Sequence, residues 1–203
     1  MNNATASPGR VTEHRPLLFV TVGSDHHRFD RLISWVDAWL DVDGNAERVH
    51  VVSQYGTAAA PRHGEAVSFM EHGKLLDVMR EAAIIVAQGG PYSLLESVQS
   101  GCVPIAVPRN RSDGEVVDDH QHAFCALLAE RGQAVLATTQ TELHEALDRS
   151  LADPASFMTS PEAIDSGRAE AVRTFDRLVA RLRSRRRRRF LTRRPPAARP
   201  SSP

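Results

Sequence analysis

The residues best suited to chemistry in this 203-residue chain lie between Val86 and Gln121. A short apolar run stops abruptly at Gly89 and Gly90, and apolar residues then recur at helical spacing. This pattern predicts a strand, a glycine turn and a helix that begins near Pro91. Because glycine lets the backbone approach a ligand and a helix N-terminus offers free amide groups, the segment predicts a phosphate site.

Two further polar features follow this turn. Glu96 lies more than a turn inside the predicted helix, within reach of a sugar bound along the turn. Gly101 ends the helix, a further strand follows, and Asp118, Asp119 and Gln121 then form a cluster of carboxylate and amide groups. The order of these features predicts recognition of an anion, a diol and polar hydroxyls along one edge of a sheet.

Strands and helices are predicted to alternate along residues 17–152. The predicted strands are 17–22, 49–53, 66–70, 83–87, 103–107 and 134–137, and the predicted helices are 29–40, 74–82, a helix from about 91 to 101, 117–130 and 140–152. This alternation predicts an α/β fold, with a Rossmann-like, mostly parallel sheet and helices on both faces. Ligands of such sheets bind at the carboxyl ends of the strands, where Gly23 and Ser24 form another glycine turn.

The charges of the chain are segregated although the formal net charge is zero. Residues 1–180 hold 15 basic and 25 acidic residues, a net charge of −10, whereas residues 181–203 hold ten Arg and no acid. Three interpretations of the basic tail stay open: a solvated tail, attachment to anionic lipid at about 1 kcal/mol per Arg, or contact with nucleic acid phosphates.

The composition predicts one folded domain with appendages. Hydrophobic residues make up 41% of the chain and charged residues 25%, as is usual for a globular protein. We expect a disordered leader over 1–16, a ligand-binding domain over 17–153, a linker and amphipathic helix over 154–183, and an Arg- and Pro-rich disordered tail over 184–203. With no apolar run near the length that crosses a bilayer, we expect a cytoplasmic protein that attaches to a membrane surface at most.

Several motifs, in order and at matching spacing, resemble the C-terminal, donor-binding domain of family 28 glycosyltransferases. The resemblance is carried by residues 18–23, Phe29, Asp30, Arg31, Leu32, Gly89, Gly90, Ser93, Glu96, Gly101, Pro104, Pro108, Asp118, Asp119, His120 and Gln121. It covers roughly residues 17–152. The chain is most similar to stand-alone members, namely the small catalytic subunit of the dolichol-linked N-acetylglucosaminyltransferase and subunits of bacterial exopolysaccharide glycosyltransferases. This implies half of a GT-B enzyme, which binds a UDP-sugar without a metal opposite an acceptor-binding half.

The resemblance also implies site residues. The donor-binding set is Gly23 and Ser24 at one diphosphate-facing turn, Gln88, Gly89, Gly90 and Ser93 at the other, Glu96 at the ribose hydroxyls, and Asp119 and Gln121 at the sugar. The chain departs from the family at Gln88, where His is usual, at Asp25, which matches another His, and at Tyr92, where a small residue is usual. Gln88 donates a hydrogen bond but carries no charge. The catalytic residue is unassigned, with His26 and Gln88 as candidates.

Simpler roles are also open to the same residues. Glu96 could be an ordinary surface residue of a helix, and Asp118 is interpreted as a helix N-terminal acid favoured by the dipole. The triplet 41–43, with sequence Asp-Val-Asp, is typical of a solvated turn rather than a metal motif. Neither His120 nor the two cysteines fall in a pattern that indicates a metal or redox site. A dinucleotide-binding dehydrogenase is disfavoured because the first turn lacks the G-x-G-x-x-G pattern.

Two classes of function follow from the resemblance. The first is a hexosyltransferase subunit that binds a UDP-sugar and transfers the sugar to a lipid-linked acceptor held by a membrane-anchored partner subunit, in synthesis of cell-surface polysaccharide or glycolipid. The second, motivated by Gln88, is a non-catalytic nucleotide-sugar-binding or regulatory partner of a glycosyltransferase. Because the implied acceptors are lipid-linked, we favour attachment of the tail to an anionic membrane over binding of nucleic acid.

Overall fold

The structure is a computed structural model, and it describes residues 15–159. The predictions for the leader before residue 15, for the amphipathic helix and for the Arg-rich tail lie outside the described residues. Among the helices of residues 15–159, none combines the length and the apolarity that a membrane span requires.

Six strands form one parallel sheet in the order β3-β2-β1-β4-β5-β6. The strands are β1 (Leu17–Thr21), β2 (His50–Gln54), β3 (Glu65–Val67), β4 (Ile84–Gln88), β5 (Ile105–Val107) and β6 (Val135–Leu136). The helices are α1 (Asp30–Leu40), α2 (Asn45–Arg48), α3 (His72–Glu81), α4 (Pro91–Gln99), α5 (His120–Glu130) and α6 (Gln140–Ala152). The predicted Rossmann-like α/β fold with a parallel sheet is therefore confirmed.

The two central strands are buried on both sides, as their unbroken apolar sequences require. In β1, Leu18, Phe19 and Val20 are fully buried, and β4 pairs with it in parallel register from Leu18 opposite Ile84 to Thr21 opposite Ala87. Because this register is strict, the two strands end side by side. The residues that follow them, from Val22 and from Gly89 onward, leave the sheet at the same place.

One face of the sheet is covered by α1 and α6, which contact each other. Leu32, Val36 and Trp39 of α1 pack there with Leu143 and Leu147 of α6. Helix α6 has the predicted bounds because Thr139 and Glu142 form a reciprocal capping box at its start. The opposite face is covered by α3, α4 and α5, whose buried members are Met79, Leu94, Val98, Phe124, Cys125 and Leu128.

Residues 154–159, which the sequence predicts to begin a linker, instead pack on the domain. Pro154–Phe157 is a 3-10 helix, and the Phe157 side chain is 3% exposed within the core of the α1 and α6 face. The backbone of Val103 donates to the Phe157 carbonyl at 2.8 Å, and Cys102 forms an antiparallel bridge with Met158. These bonds engage the first residues of the predicted strand 103–107, so β5 begins only at Ile105.

Several other element boundaries shift by one to three residues, and those of β3 and α5 differ from prediction for local reasons. Strand β3 covers Glu65–Val67 rather than 66–70, because only three of its residues pair with the neighbouring edge of β2. Helix α5 begins at His120 rather than at Val117. The Asp118 carboxylate accepts a hydrogen bond from the His120 amide at 3.2 Å, and such a turn competes with helix at this position.

Candidate functional site

A cleft of about 560 Å³ opens at the carboxyl ends of β1 and β4. It is lined by Thr21, Gly23, Ser24, Asp25, Gln54, Met70, His72, Leu75, Gln88, Gly90, Pro91, Tyr92, Ser93 and Glu96. In the observed strand order, chain connections run outward in both directions from the β1 and β4 pair. The cleft therefore lies at the topological switch point, the place where open α/β sheets bind ligands.

The first turn follows β1 and is fixed by buried polar groups. Gly23 has a φ of +74°, a left-handed conformation that favours glycine. Its amide donates to the hydroxyl of Thr21 at 3.1 Å, and that hydroxyl donates to Gln54 Oε1 at 2.8 Å. Thr21 and Gln54 are 1% and 5% exposed, so the bond between them is shielded from water. The start of the turn is therefore held by residues at the ends of β1 and β2.

The second turn follows β4, and its two glycines have different functions. Gly89 donates its amide to the Val107 carbonyl at 3.0 Å, and a Cβ at this position would lie 2.7 Å from Cys125 Sγ. Gly89 is therefore needed for close packing against α5. Gly90 is the N-cap of α4, where no side chain caps the helix. The first turn of α4 therefore begins without a side-chain cap, and its residues Pro91, Tyr92 and Ser93 line the cleft.

The Gln88 side chain lies between the two turns. A Cβ added at Gly23 would lie 2.7 Å from Gln88 Nε2, and one added at Gly90 would overlap the same atom. The Arg109 amide donates to Gln121 Oε1 at 3.0 Å, and Gln121 Nε2 in turn donates to Gln88 Oε1 at 3.0 Å. With its oxygen engaged in this way, Gln88 directs its Nε2 donor group toward the glycine turns.

Glu96 lies on the wall of the same cleft, on α4. Its side chain is 19% exposed, and its Oε1 lies 3.6 Å from Nε2 of His72 at the start of α3. Met70 and Leu75 add apolar surface from the segment around the start of α3. The cleft thus has a polar end at the glycine turns and, at Glu96, a carboxylate beside apolar surface.

The charge of the cleft is negative. Asp25 and Glu96 are its carboxylates, and no Lys or Arg occurs among the described residues that line it. Burial alone would raise the pKa of Asp25. Hydrogen bonds from the His27 amide and ring, together with the positive charge of Arg109, outweigh burial and lower that pKa below its ordinary value.

Asp25, His26 and His27 bring three potential metal-ligating atoms within 4.8 Å of one another. The sequence analysis predicts no metal site at these residues. The Asp25 carboxylate already accepts from the His27 ring at 2.7 Å, and the His26 side chain is 84% exposed. Hydrogen bonding therefore accounts for the position of the carboxylate.

The structure brings most of the predicted donor-binding residues together. Those that line the cleft are Gly23, Ser24, Gln88, Gly90, Ser93 and Glu96. Gly89 lies behind it, and Gln121 reaches it only through Gln88. Asp119 is the exposed N-cap of α5 and is not among the lining residues, and neither is His26.

Several residues of the site were missed by sequence reasoning. Thr21, Gln54 and His72 line the cleft, and Arg109 lies behind it, fully buried. A signal existed for Thr21 and Gln54, since each is a polar residue that ends an apolar strand. Arg109 gives no local signal, because its side-chain partners are 81 to 87 positions away for three of its bonds.

The strand order and the glycine turns at the switch point define a Rossmann-like α/β domain. The model of the glycosyltransferase family 28 C-terminal domain matches residues 17–175. The chain therefore belongs to this family, and the predicted resemblance is confirmed at the level of the family.

Solved structures of GT-B glycosyltransferases share the fold. The glycotransferase of kitacinnamycin aligns with a TM-score of 0.55 and 19% identity, over 86% of this chain and 43% of its own. MurG of Acinetobacter baumannii aligns with a TM-score of 0.50 and 22% identity, over 70% of this chain and 43% of its own. This chain thus spans less than half the length of either protein. No curated protein matches it in sequence.

Proposed function

We propose that this chain is the donor-binding subunit of a hexosyltransferase that uses a UDP-sugar. The observation that carries the proposal is the gathering of two glycine turns, an uncapped helix N-terminus and the Glu96 carboxylate around one cleft at the switch point of the sheet. Each of these features suits a different part of a nucleotide-sugar. Membership of the family supports the assignment to sugar transfer.

The two ends of the cleft suit the two parts of a nucleoside diphosphate. The first turn of α4 and the Gln88 amide supply donors for the diphosphate, with about 0.3 to 2 kcal/mol from the helix dipole. Glu96 would accept hydrogen bonds from the two ribose hydroxyls, and Met70 and Leu75 would contact the base. Ser93, Gly23 and Ser24 would lie against the phosphates.

In the proposed reaction, the bond between the anomeric carbon and the diphosphate oxygen breaks while an acceptor oxygen bonds to that carbon. The electron pair of the broken bond stays on UDP, and the acceptor proton passes to a base. Donor groups fixed before the reaction stabilise the charge that grows on the departing diphosphate. For this reason we expect the transfer to need no metal or other cofactor, and activity should survive a chelator.

We propose that the acceptor, the base and the membrane anchor come from a partner subunit. The resemblance of the motifs to stand-alone members of the family motivates this proposal, in which the partner lies opposite the cleft. A lipid-linked acceptor would place the complex at the inner face of the plasma membrane. The ten Arg of residues 181–203 would then contact anionic lipid rather than nucleic acid.

The direct test is calorimetric titration of the full chain with UDP, UDP-GlcNAc, UDP-glucose and UDP-glucuronate, with ADP as the nucleobase control. We expect UDP and at least one UDP-sugar to bind and the chain alone to transfer little sugar. Failure of every uridine ligand to bind would refute the donor site. Robust transfer without a partner would contradict the division between subunits.

Gln88 favours one alternative, a nucleotide-sugar-binding partner without catalysis. Where the family usually has a His, Gln88 carries no charge toward the leaving group. Co-expression with a membrane-anchored acceptor subunit separates the two proposals. A complex that is inactive with Gln88 but active with Gln88→His would favour the regulatory function, and an active wild-type complex would exclude it.

A further inference from the structure

Arg109 is a fully buried cation two residues after the end of β5, directly behind the first glycine turn. Its guanidinium donates to the carbonyls of Val22 and His27 at 2.8 Å, of Glu115 at 3.0 Å and of Arg28 at 3.4 Å. Val22 immediately precedes Gly23. One side chain therefore fixes both ends of the Val22–Arg28 segment that carries the turn.

Among the described residues, no carboxylate accepts a hydrogen bond from Arg109, although those of Asp25 and Glu115 act on its charge through space. All four acceptors are carbonyl groups, and Nε has no hydrogen-bond partner within the described residues. The neighbouring cation, Arg31, differs because it forms an ion pair with the Glu115 carboxylate at 2.7 Å. The ring of Phe29 is near both guanidinium groups, with its centroid 4.6 Å from Cζ of Arg109 and 5.2 Å from Cζ of Arg31.

Burying a cation is costly when its hydrogen bonds go only to neutral carbonyl groups, so further negative charge nearby would stabilise Arg109. The cleft in front of Arg109 carries two carboxylates and, among the described lining residues, no Lys or Arg. A diphosphate bound there would add more negative charge. The charge of Arg109 already acts on the cleft, because it contributes to lowering the pKa of Asp25.

We propose that Arg109 is a positioning residue for the diphosphate site, fixing the Val22–Arg28 turn and supplying positive charge behind it. The inference rests on the proposed function, because it requires a diphosphate in the cleft. Arg109 does not line the cleft, so it acts through the turn and through space, in a buried environment where charges are weakly screened.

The test compares UDP with uridine, which lacks the diphosphate, in wild type, Arg109→Gln and the exposed control Arg111→Gln. We expect Arg109→Gln to weaken UDP about tenfold and uridine less than twofold, because a charge-assisted interaction is lost only for UDP. Arg111→Gln should change neither ligand. Equal weakening of both ligands, or no weakening of UDP, would overturn the inference while leaving the proposed function intact.

A wild-type measurement covers the case in which Arg109→Gln does not fold, as judged by circular dichroism. In a ¹⁵N-labelled chain, UDP should shift the Arg109 Nε–H resonance, whereas uridine should not. The Arg31 Nε–H, which donates to Glu115 at 3.0 Å, provides the internal reference. If the Arg109 Nε–H resonance does not shift at saturating UDP, the inference is refuted. Absence of UDP binding to wild type would refute the proposed function and this inference with it.

Discussion

Removal of the Glu96 carboxylate should selectively weaken ligands that carry a ribose 2′-hydroxyl. The carboxylate lies on the cleft wall with 19% of its side chain exposed, and its ion-pair partner, His72 Nε2, is 3.6 Å away, beyond a good hydrogen bond. Both carboxylate oxygens can therefore accept from a ribose diol. Hydrogen bonds to a charged group contribute about 1.5 to 3 kcal/mol each at best.

The expected loss follows from these values. Because the site is partly solvated, we take about 2 kcal/mol for Glu96→Ala, which weakens UDP about 30-fold. Removing a negative charge near a diphosphate acts in the opposite direction and would by itself strengthen binding. A net loss therefore requires direct contact between Glu96 and the nucleotide.

Calorimetric titration with UDP and 2′-deoxy-UDP isolates this contact. Wild type should prefer UDP about tenfold, and Glu96→Ala should reduce the preference to less than twofold, because the acceptor for the 2′-hydroxyl is gone. Glu81→Ala, at the exposed end of α3, removes the same charge outside the cleft and should leave the preference unchanged. If Glu96→Ala retains a tenfold preference, Glu96 does not hold the ribose.

Three further predictions test the fold around the site. Gly23→Ala should lower the free energy of unfolding, measured by denaturant titration, by about 1 to 2 kcal/mol, because the residue has a φ of +74°. The UDP affinity of this variant should fall as well, since the new Cβ displaces Gln88. Phe157→Ala should lower the free energy of unfolding by about 3 to 5 kcal/mol. A substitution of the exposed neighbour Met158 should lower it by less than about 0.5 kcal/mol, and equal effects would show that the 3-10 helix does not pack in the core. Burial raises the pKa of Cys102 to about 11 and that of Cys125 to about 12, so iodoacetamide at about pH 8 should label neither thiol in the native chain and both in urea; rapid native labelling would contradict the burial.

The parts of the fold predicted best from the sequence are those determined by neighbouring residues. Helix α6 was predicted at Gln140–Ala152 because the cap, the apolar period and the end all lie within the segment. The predicted strand 103–107 was wrong at its first two residues, because the Val103 amide donates to the carbonyl of Phe157, more than fifty positions away. The same distinction holds in the site, where the glycine turns are local and the partners of Arg109 are not.

The distant contacts converge on the segment that ends β5. The backbone amide of Arg109 orients Gln121 and, through it, the Gln88 amide at the second turn. The side chain of Arg109 holds the first turn through Val22. Both turns are thus held by one fully buried residue, and buried, hydrogen-bonded segments open less readily than exposed loops.

A site fixed in this way should bind its ligand without a large cost of ordering. Binding costs fall when the donor groups already have their bound geometry, because less conformational freedom is lost. In the proposed complex, the partner subunit would then change the position of the acceptor more than the affinity for the donor. The UDP affinity of the isolated chain and that of the complex should therefore agree within a few fold, whereas a site that the partner has to assemble would bind UDP only in the complex.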